Sequence, residues 1–139
     1  MIPCQDTPSV KSPYEIQVTC KDPLVVACSG IPVSEPKKTT KNGINYITYH
    51  FEQKIKIPAY LIALTCGALE RAKIGPRSYV WCEKEYLEAS KYEFTETEDY
   101  LKSGEKICSY PYVWKTYDLM VLPGAFPYGK KKNDKFLMI

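Results

Sequence analysis

Histidine occurs once in this chain, at His50, and that limits the chemistry its residues can do. A helical zinc site of the His-Glu-x-x-His kind needs two imidazoles on one face, and a thiolate site needs clustered cysteines. The six cysteines stand at 4, 20, 28, 66, 82 and 108, with no Cys-x-x-Cys pair for zinc or redox work. An even number permits disulfides. The N-terminal run Met1-Ile2-Pro3-Cys4-Gln5-Asp6 has neither the basic nor the apolar region of a signal peptide, so buried, reduced thiols are expected. His50 falls on the polar face of a period-two segment. A Ser-His or Cys-His nucleophile pair would have to use it. No neighbouring sequence supports that, and the reading is an exposed structural residue.

Glu93, Glu96, Glu98 and Asp99 are a concentration of carboxylates. Paired carboxylates serve acid-base catalysis, but the first turn of a capped helix also collects them. Thr95 and Glu98 have capping-box spacing, and Lys102 and Lys106 follow where the helix dipole favours cations. The structural account is therefore preferred. Gly67, Gly75, Gly104, Gly124 and Gly129 have no phosphate-cradling spacing. The triplet Lys130-Lys131-Lys132 reads as a solvated basic run.

The elements that hold these residues are mainly strands at first. Tyr14, Ile16, Val18 and Cys20 alternate with Glu15, Gln17 and Thr19, which predicts a half-buried strand. Leu24 to Cys28 predicts a second. Ser29 to Asn42, with Gly30, Pro32, Pro36 and three lysines, predicts a loop, and Asn42-Gly43 is a hairpin-turn signal. From Asn45 to Ile57, Ile47, Tyr49, Phe51, Ile55 and Ile57 share one face. Tyr46, Thr48, His50, Glu52, Lys54 and Lys56 share the other, as in an antiparallel strand with one wet face. Tyr60 to Leu69 is expected as a strand buried on both faces.

After Ile74-Gly75-Pro76-Arg77 the character changes. Ser78 to Cys82 predicts a strand, and Glu83 to Ser90 a short helix. A longer helix from Thr95 would carry Tyr100, Leu101, Gly104, Ile107 and Cys108 on one face. Tyr117 to Leu122 returns to a buried strand. The fold class is therefore mainly β followed by α+β, dividing near residue 75.

Composition excludes several classes. With 139 residues, 45% hydrophobic and 25% charged, the chain has the make-up of an ordinary globular protein. Its net charge of +3 is too small and too mixed to require a nucleic-acid partner. No apolar run reaches the roughly 20 residues that span a bilayer, so no membrane partner is expected either.

Several segments, taken together, carry a resemblance. They are Pro3 to Lys11, Pro58 to Glu70, Ile74-Gly75-Pro76-Arg77 with Val80-Trp81, and Tyr92 to Glu98. Pro111 to Trp114, Tyr117-Asp118-Leu119, Val121-Leu122-Pro123 and Phe126-Pro127-Tyr128-Gly129 complete the set. In this order, over residues 3 to 129, the chain resembles the leukotriene A4 hydrolase type of M1 zinc aminopeptidase. The resemblance implies cytoplasmic enzymes with zinc as cofactor and peptides as substrates. They remove N-terminal residues, and some also open the epoxide of leukotriene A4. Residues 1–75 would be the end of an N-terminal β domain, and residues 76–129 the incomplete start of a thermolysin-like catalytic domain made of a strand-helix-strand segment. Residues 130–139 would be an unrelated basic tail.

The departures matter for activity. Where the family continues past Gly129 with a second glycine and Met-Glu-Asn, this sequence has Lys130-Lys131-Lys132-Asn133. The family's zinc helix, distant Glu ligand and catalytic Tyr would all lie further on. Of its substrate-binding residues only Tyr128, a pocket-lining tyrosine, and Gly129, the first glycine of the peptide-binding loop, can be carried over. No catalytic residue and no metal ligand can. The chain is expected to be inactive alone, the alternative being a non-catalytic β-rich interaction module.

Overall fold

The computed structural model describes residues 3–123 and 136–138. The chain forms two compact units, Met1–Ala68 and Leu69–Met138. The first is built on β1 (Lys11–Lys21) and the long β5 (Ile44–Pro58), paired antiparallel. Between them in sequence come β2 (Val25–Cys28), β3 (Ile31–Pro32) and β4 (Lys37–Lys41). The period-two expectation holds in β1, where Tyr14, Ile16, Val18 and Cys20 are the more covered positions and Glu15, Gln17 and Thr19 are exposed.

The stretch Ser29 to Asn42, expected as a loop, contains β3 and β4. Both pair with β5 along the edge opposite β1. All five residues of β4 are exposed, so no apolar alternation marks it. The Asn42-Gly43 turn places it instead. With φ of 50° and 74°, both residues take the left-handed conformation that a tight two-residue hairpin demands. Lysine on such an edge strand also discourages pairing with other chains.

On β5 the apolar face has a polar member. Gln53 is 3% exposed, at the point where the β1 register jumps from Tyr14↔Gln53 to Ser12↔Ile57. Its amide donates to the Ser29 carbonyl at 3.2 Å and accepts from the Ile55 N–H at 3.0 Å. Backbone groups that the irregular ladder leaves over are thereby satisfied. The core of this unit is Cys20, Val26, Cys28 and Phe51, with Tyr14, Ile16, Val18, Leu24 and Tyr49 packed on it.

The segment Tyr60 to Leu69 is not one doubly buried strand. A 3-10 turn, Ala59–Leu61, follows Pro58, then β6 (Leu64–Gly67) pairs with β2. Leu69 already belongs to β7 (Leu69–Lys73). Tyr60, Leu61 and Leu64 are 65%, 48% and 49% exposed, so apolar content here marks surface rather than interior. The prediction of buried thiols also holds only in part. All six cysteines are free, and Cys4, Cys66 and Cys108 are exposed.

The second unit is a sheet of order β10-β9-β8-β7, with β8 at Ser78–Glu83, β9 at Tyr117–Val121 and β10 at Phe136–Met138. β7–β8 and β9–β10 are antiparallel, whereas β8–β9 is parallel. Parallel neighbours require a crossover, and residues 84–116 supply it through α1 (Leu87–Glu93) and α2 (Thr97–Cys108). α1 packs on β7 and β8. Ser78, Val80 and Cys82 are wholly buried and Met120 nearly so. Sequence reading saw β8 and β9 but not β10, a three-residue strand too short to show a period.

Candidate functional site

The chemistry-bearing side chains of the second unit converge where β8 meets α2. Arg77, just before β8, donates from Nε to Glu98 Oε1 at 2.9 Å. It also donates from Nη1 and Nη2 to the two oxygens of Glu105 at 2.8 and 2.6 Å. Ser78 Oγ donates to the other Glu98 oxygen at 2.9 Å, and the Tyr112 N–H donates to Glu105 Oε1 at 2.7 Å. One guanidinium thus joins the start of β8, two turns of α2 and the segment after α2. Planar forked donors suit carboxylates in this way.

This arrangement corrects the capping-box reading. α2 begins at Thr97 with Glu96 as N-cap and no side-chain cap. Thr95 turns back, its hydroxyl donating to the carbonyls of Lys91 and Tyr92. Glu98 is 8% exposed and faces Arg77 and Ser78, not the helix's own N–H groups. A carboxylate at that depth is stable only with charged or hydrogen-bonding partners. Glu93, Glu96 and Asp99 are exposed, as expected of a helix entrance.

A second polar knot crosses the sheet. Asp118 on β9, 9% exposed, accepts at Oδ1 from Arg71 Nε at 2.9 Å and from Trp81 Nε1 at 2.8 Å, and Arg71 Nη2 stands 2.8 Å away as its ion-pair partner. The Arg71 guanidinium lies 3.6 Å from the Tyr79 ring centroid, a cation–π contact. Asp118 lay inside a predicted buried strand. A lone acid in an apolar run was the available signal that it needs a buried partner.

Beside the Arg77 cluster opens an apolar cleft of about 540 Å³, lined by Tyr100, Leu101, Cys108, Tyr112, Trp114 and Tyr117 among others. The predicted apolar face of α2 borders this cleft but is not buried; Tyr100 and Ile107 are 68% and 82% exposed. The Tyr112 ring lies 5.5 Å from Trp114, 5.7 Å from Tyr117 and 5.8 Å from the Arg77 guanidinium. Burial first, then the neighbouring Tyr117 and Asp118, pushes its phenol up to about 12.

The acids here are committed to structure. Hydrogen bonds from Arg77, then the Tyr112 N–H, lower Glu105 to about 2, so at neutral pH it is a fixed acceptor rather than a proton shuttle. The Cys82 thiol is pushed up by burial, partly offset by the Ser90 hydroxyl, which keeps it from acting as a thiolate. The one thiol that lines the cleft is the exposed, free Cys108.

His50 lies on the polar face of β5, as the sequence placed it, but half-buried rather than exposed. Its Nε2 meets Glu15 Oε1 at 2.5 Å. Glu15 stands directly across from Glu52 in the β1–β5 register, and Lys54 lies 3.5 Å from Glu52. Like charges directly opposite destabilise a ladder, and His50 and Lys54 each give one of the two acids another partner. Among the described residues no group of three His, Cys, Asp or Glu side chains is placed to hold a metal ion. Tyr128 and Gly129, and the triplet Lys130–Lys132, lie outside the described residues. No helix among the described residues is long and apolar enough to cross a membrane.

Comparison with known proteins gives a consistent picture. Residues 1–61 match the Peptidase M1 N-terminal domain. Leukotriene A-4 hydrolase of Xenopus laevis is 49% identical over 133 residues, 96% of this chain and 21% of that protein. Leucine aminopeptidase 2 of Emericella nidulans is 41% identical over 137 residues, 98% of this chain and 22% of that protein. The solved structure of native yeast LTA4 hydrolase superposes with a TM-score of 0.74 at 42% identity, over 92% of this chain and 19% of that one. The chain thus spans about one fifth of the length of the curated relatives it matches.

Proposed function

We propose that this chain, whose residues 1–61 match the Peptidase M1 N-terminal domain, is the stretch of a leukotriene A4 hydrolase-like zinc aminopeptidase where the N-terminal β domain gives way to a thermolysin-like catalytic domain. The observation that carries this reading is the 41% identity to a leucine aminopeptidase over 98% of the chain, a span that takes in both compact units. The whole enzyme would remove N-terminal residues from peptides in the cytoplasm. In it, Tyr128 and Gly129 would meet the amino end and backbone of the peptide.

The zinc of such an enzyme does not fit the residues present here. The one histidine is engaged with Glu15 on a strand face, and the buried acids Glu98 and Asp118 are held by arginines. The contribution of these residues is positional. The Arg77 cluster fixes α2 against β8, and the Asp118 knot fixes β9, the strand that precedes Tyr128 and Gly129 in sequence. These 139 residues alone are proposed to be inactive.

The test is a pair of assays. The isolated chain, supplied with zinc, is expected to release no product from an aminoacyl reporter. Leucine aminopeptidase 2 carrying residues 3–129 of this chain in place of its own matching segment is expected to retain activity. Turnover by the isolated chain, or a folded, zinc-loaded chimera without activity, would overturn the reading. A second reading, a β-rich interaction module, rests on the outer edge of β1, which pairs only with β5 among the described residues. Saturable binding of extended peptides by an inactive, stable monomer would favour it.

A further inference from the structure

We propose that Asn42-Gly43, the turn of the β4–β5 hairpin, is a self-modification site at which asparagine converts to isoaspartate and thereby releases β4 from the sheet. Asparagine is a thermolabile residue. Its amide is lost most readily where glycine follows, because no Cβ shields the attacking nitrogen. Of the three asparagines, Asn42 precedes Gly43, whereas Asn45 precedes Tyr46 and Asn133 precedes Asp134. Lys41, Asn42, Gly43 and Ile44 are all exposed, and a Cβ built on Gly43 would meet nothing within 4 Å. Both reacting groups are uncommitted among the described residues. The Gly43 N–H donates to no carbonyl, and the Asn42 side chain makes no hydrogen bond. Asn45, by contrast, accepts from Thr40 Oγ1 at 2.7 Å.

The reaction needs only water. The Gly43 nitrogen attacks Asn42 Cγ. The N–Cγ bond forms, the Cγ–Nδ2 bond breaks, and ammonia leaves with the Gly43 proton, giving a five-membered cyclic imide. Water then opens the imide at one of its two carbonyls. Breaking the N–Cγ bond gives aspartate on an unchanged main chain. Breaking the bond from the nitrogen to the Asn42 main-chain carbon gives isoaspartate, whose main chain runs through Cβ and Cγ. In the left-handed turn, with φ of 50° and 74°, the chain must rotate about the Asn42 Cα–C bond before the two atoms meet, so the step waits on local opening of the hairpin. Isoaspartate adds a carbon to the main chain of a two-residue turn, which then cannot close the Lys41↔Ile44 pair. Little else holds β4. All five of its residues are exposed, and the Thr40–Asn45 bond spans the same turn. Its release uncovers residues 44–48 on the edge of β5, and an unpaired edge favours association with other chains. Aspartate suits the same turn and leaves β4 in place.

The experiment ages the full chain, shown folded by circular dichroism, in mildly alkaline buffer, beside chain unfolded in guanidinium. Peptides are mapped by mass spectrometry, and isoaspartate is labelled with an isoaspartyl methyltransferase. The expected product from native chain is one mass unit heavier at Asn42, carries the label there and is unchanged at Asn45. Unfolded chain should reach the same product faster. In aged, labelled chain, amide exchange should accelerate over β4 and residues 44–48 and stay unchanged over β7 to β9. Asn42→Gly, which keeps a turn-forming pair, should gain neither mass nor label on ageing and should keep slow exchange in β4. Freshly prepared Asn42→Asp should keep it as well. Native chain that stays unlabelled at Asn42 while unfolded chain converts would overturn the proposal. So would equal rates in the two, conversion at Asn45 as fast as at Asn42, or labelled chain with unchanged exchange in β4.

Discussion

Arg77 and Glu105 are joined by two parallel hydrogen bonds, 2.8 and 2.6 Å long, and this pair makes stability depend on acid. Glu105 is lowered from 4.5 to about 2 by the Arg77 bonds, then by the Tyr112 N–H. A carboxylate with a depressed folded-state pKa contributes fully above its unfolded value, and the contribution is lost as pH falls toward the folded one. Urea midpoints should therefore fall between pH 4.5 and 2. Glu105→Gln should lower the midpoint at pH 7, and its deficit should shrink across that acid window. A deficit that stays constant to pH 2 would show that the pair does not titrate as described.

Glu98 is the most deeply placed acid of the cluster. Removing one partner of a buried, hydrogen-bonded charge pair typically costs about 3 kcal/mol or more. Glu98→Ala leaves Ser78 without its acceptor and Arg77 with one acid. An unfolding free energy lower by about 2–3 kcal/mol is expected. Asp99→Ala, at an exposed neighbour, should change stability by less than about 0.5 kcal/mol.

Two glycines should respond in opposite directions to alanine. A Cβ on Gly75 would stand 3.2 Å from the Glu98 Cβ and 3.3 Å from its Oε2, the oxygen that accepts from Ser78, so Gly75→Ala should displace the Glu98 side chain slightly within its bonded cluster and lower the melting temperature. A Cβ on Gly104, within α2, meets nothing within 4 Å. Gly104→Ala should gain about 1 kcal/mol of helix propensity. Thermal melts of both variants check the pair.

Gln53→Ala should be more damaging than its polarity suggests. It leaves the Ser29 carbonyl and the Ile55 N–H without their side-chain partner, at a cost of about 1–3 kcal/mol. Hydrogen exchange at Ile55 should accelerate selectively. Unchanged exchange there would mean that the amide bond contributes nothing.

Alkaline titration should separate the twelve tyrosines. Tyr14 is raised to about 12, mainly by burial and against the lowering hydrogen bond to Ser29, and Tyr112 is likewise raised to about 12 by burial. Phenolate absorbance near 295 nm should leave a late fraction that Tyr14→Phe and Tyr112→Phe each reduce. With folded values above 10, their stabilising contribution is complete below pH 10 and is lost as pH rises toward 12. Melting temperatures should fall across that interval.

The sequence alone determined whatever depends on neighbours along the chain. Alternation along β1 and β5 is a local property of the pleat, so the inward set Tyr14, Ile16, Val18 and Cys20 was legible before any partner was known. The Asn42-Gly43 turn was legible for the same reason, since two adjacent residues that tolerate positive φ define it. The single histidine likewise bounded the chemistry. Only the tertiary structure decided where polar groups find partners across the sequence. Glu98 looked like a helix cap because Thr95 stands three residues before it. Its partner Arg77 lies 21 residues away, and no short-range pattern encodes that distance. β4 has no apolar face to announce it and exists because a turn delivers it to the edge of β5. Tyr60 to Leu69 looked buried because composition counts apolar atoms, while burial depends on what chain lies across from them. Local sterics fix the conformation of each segment, but the low dielectric of a packed interior decides which distant charges must meet.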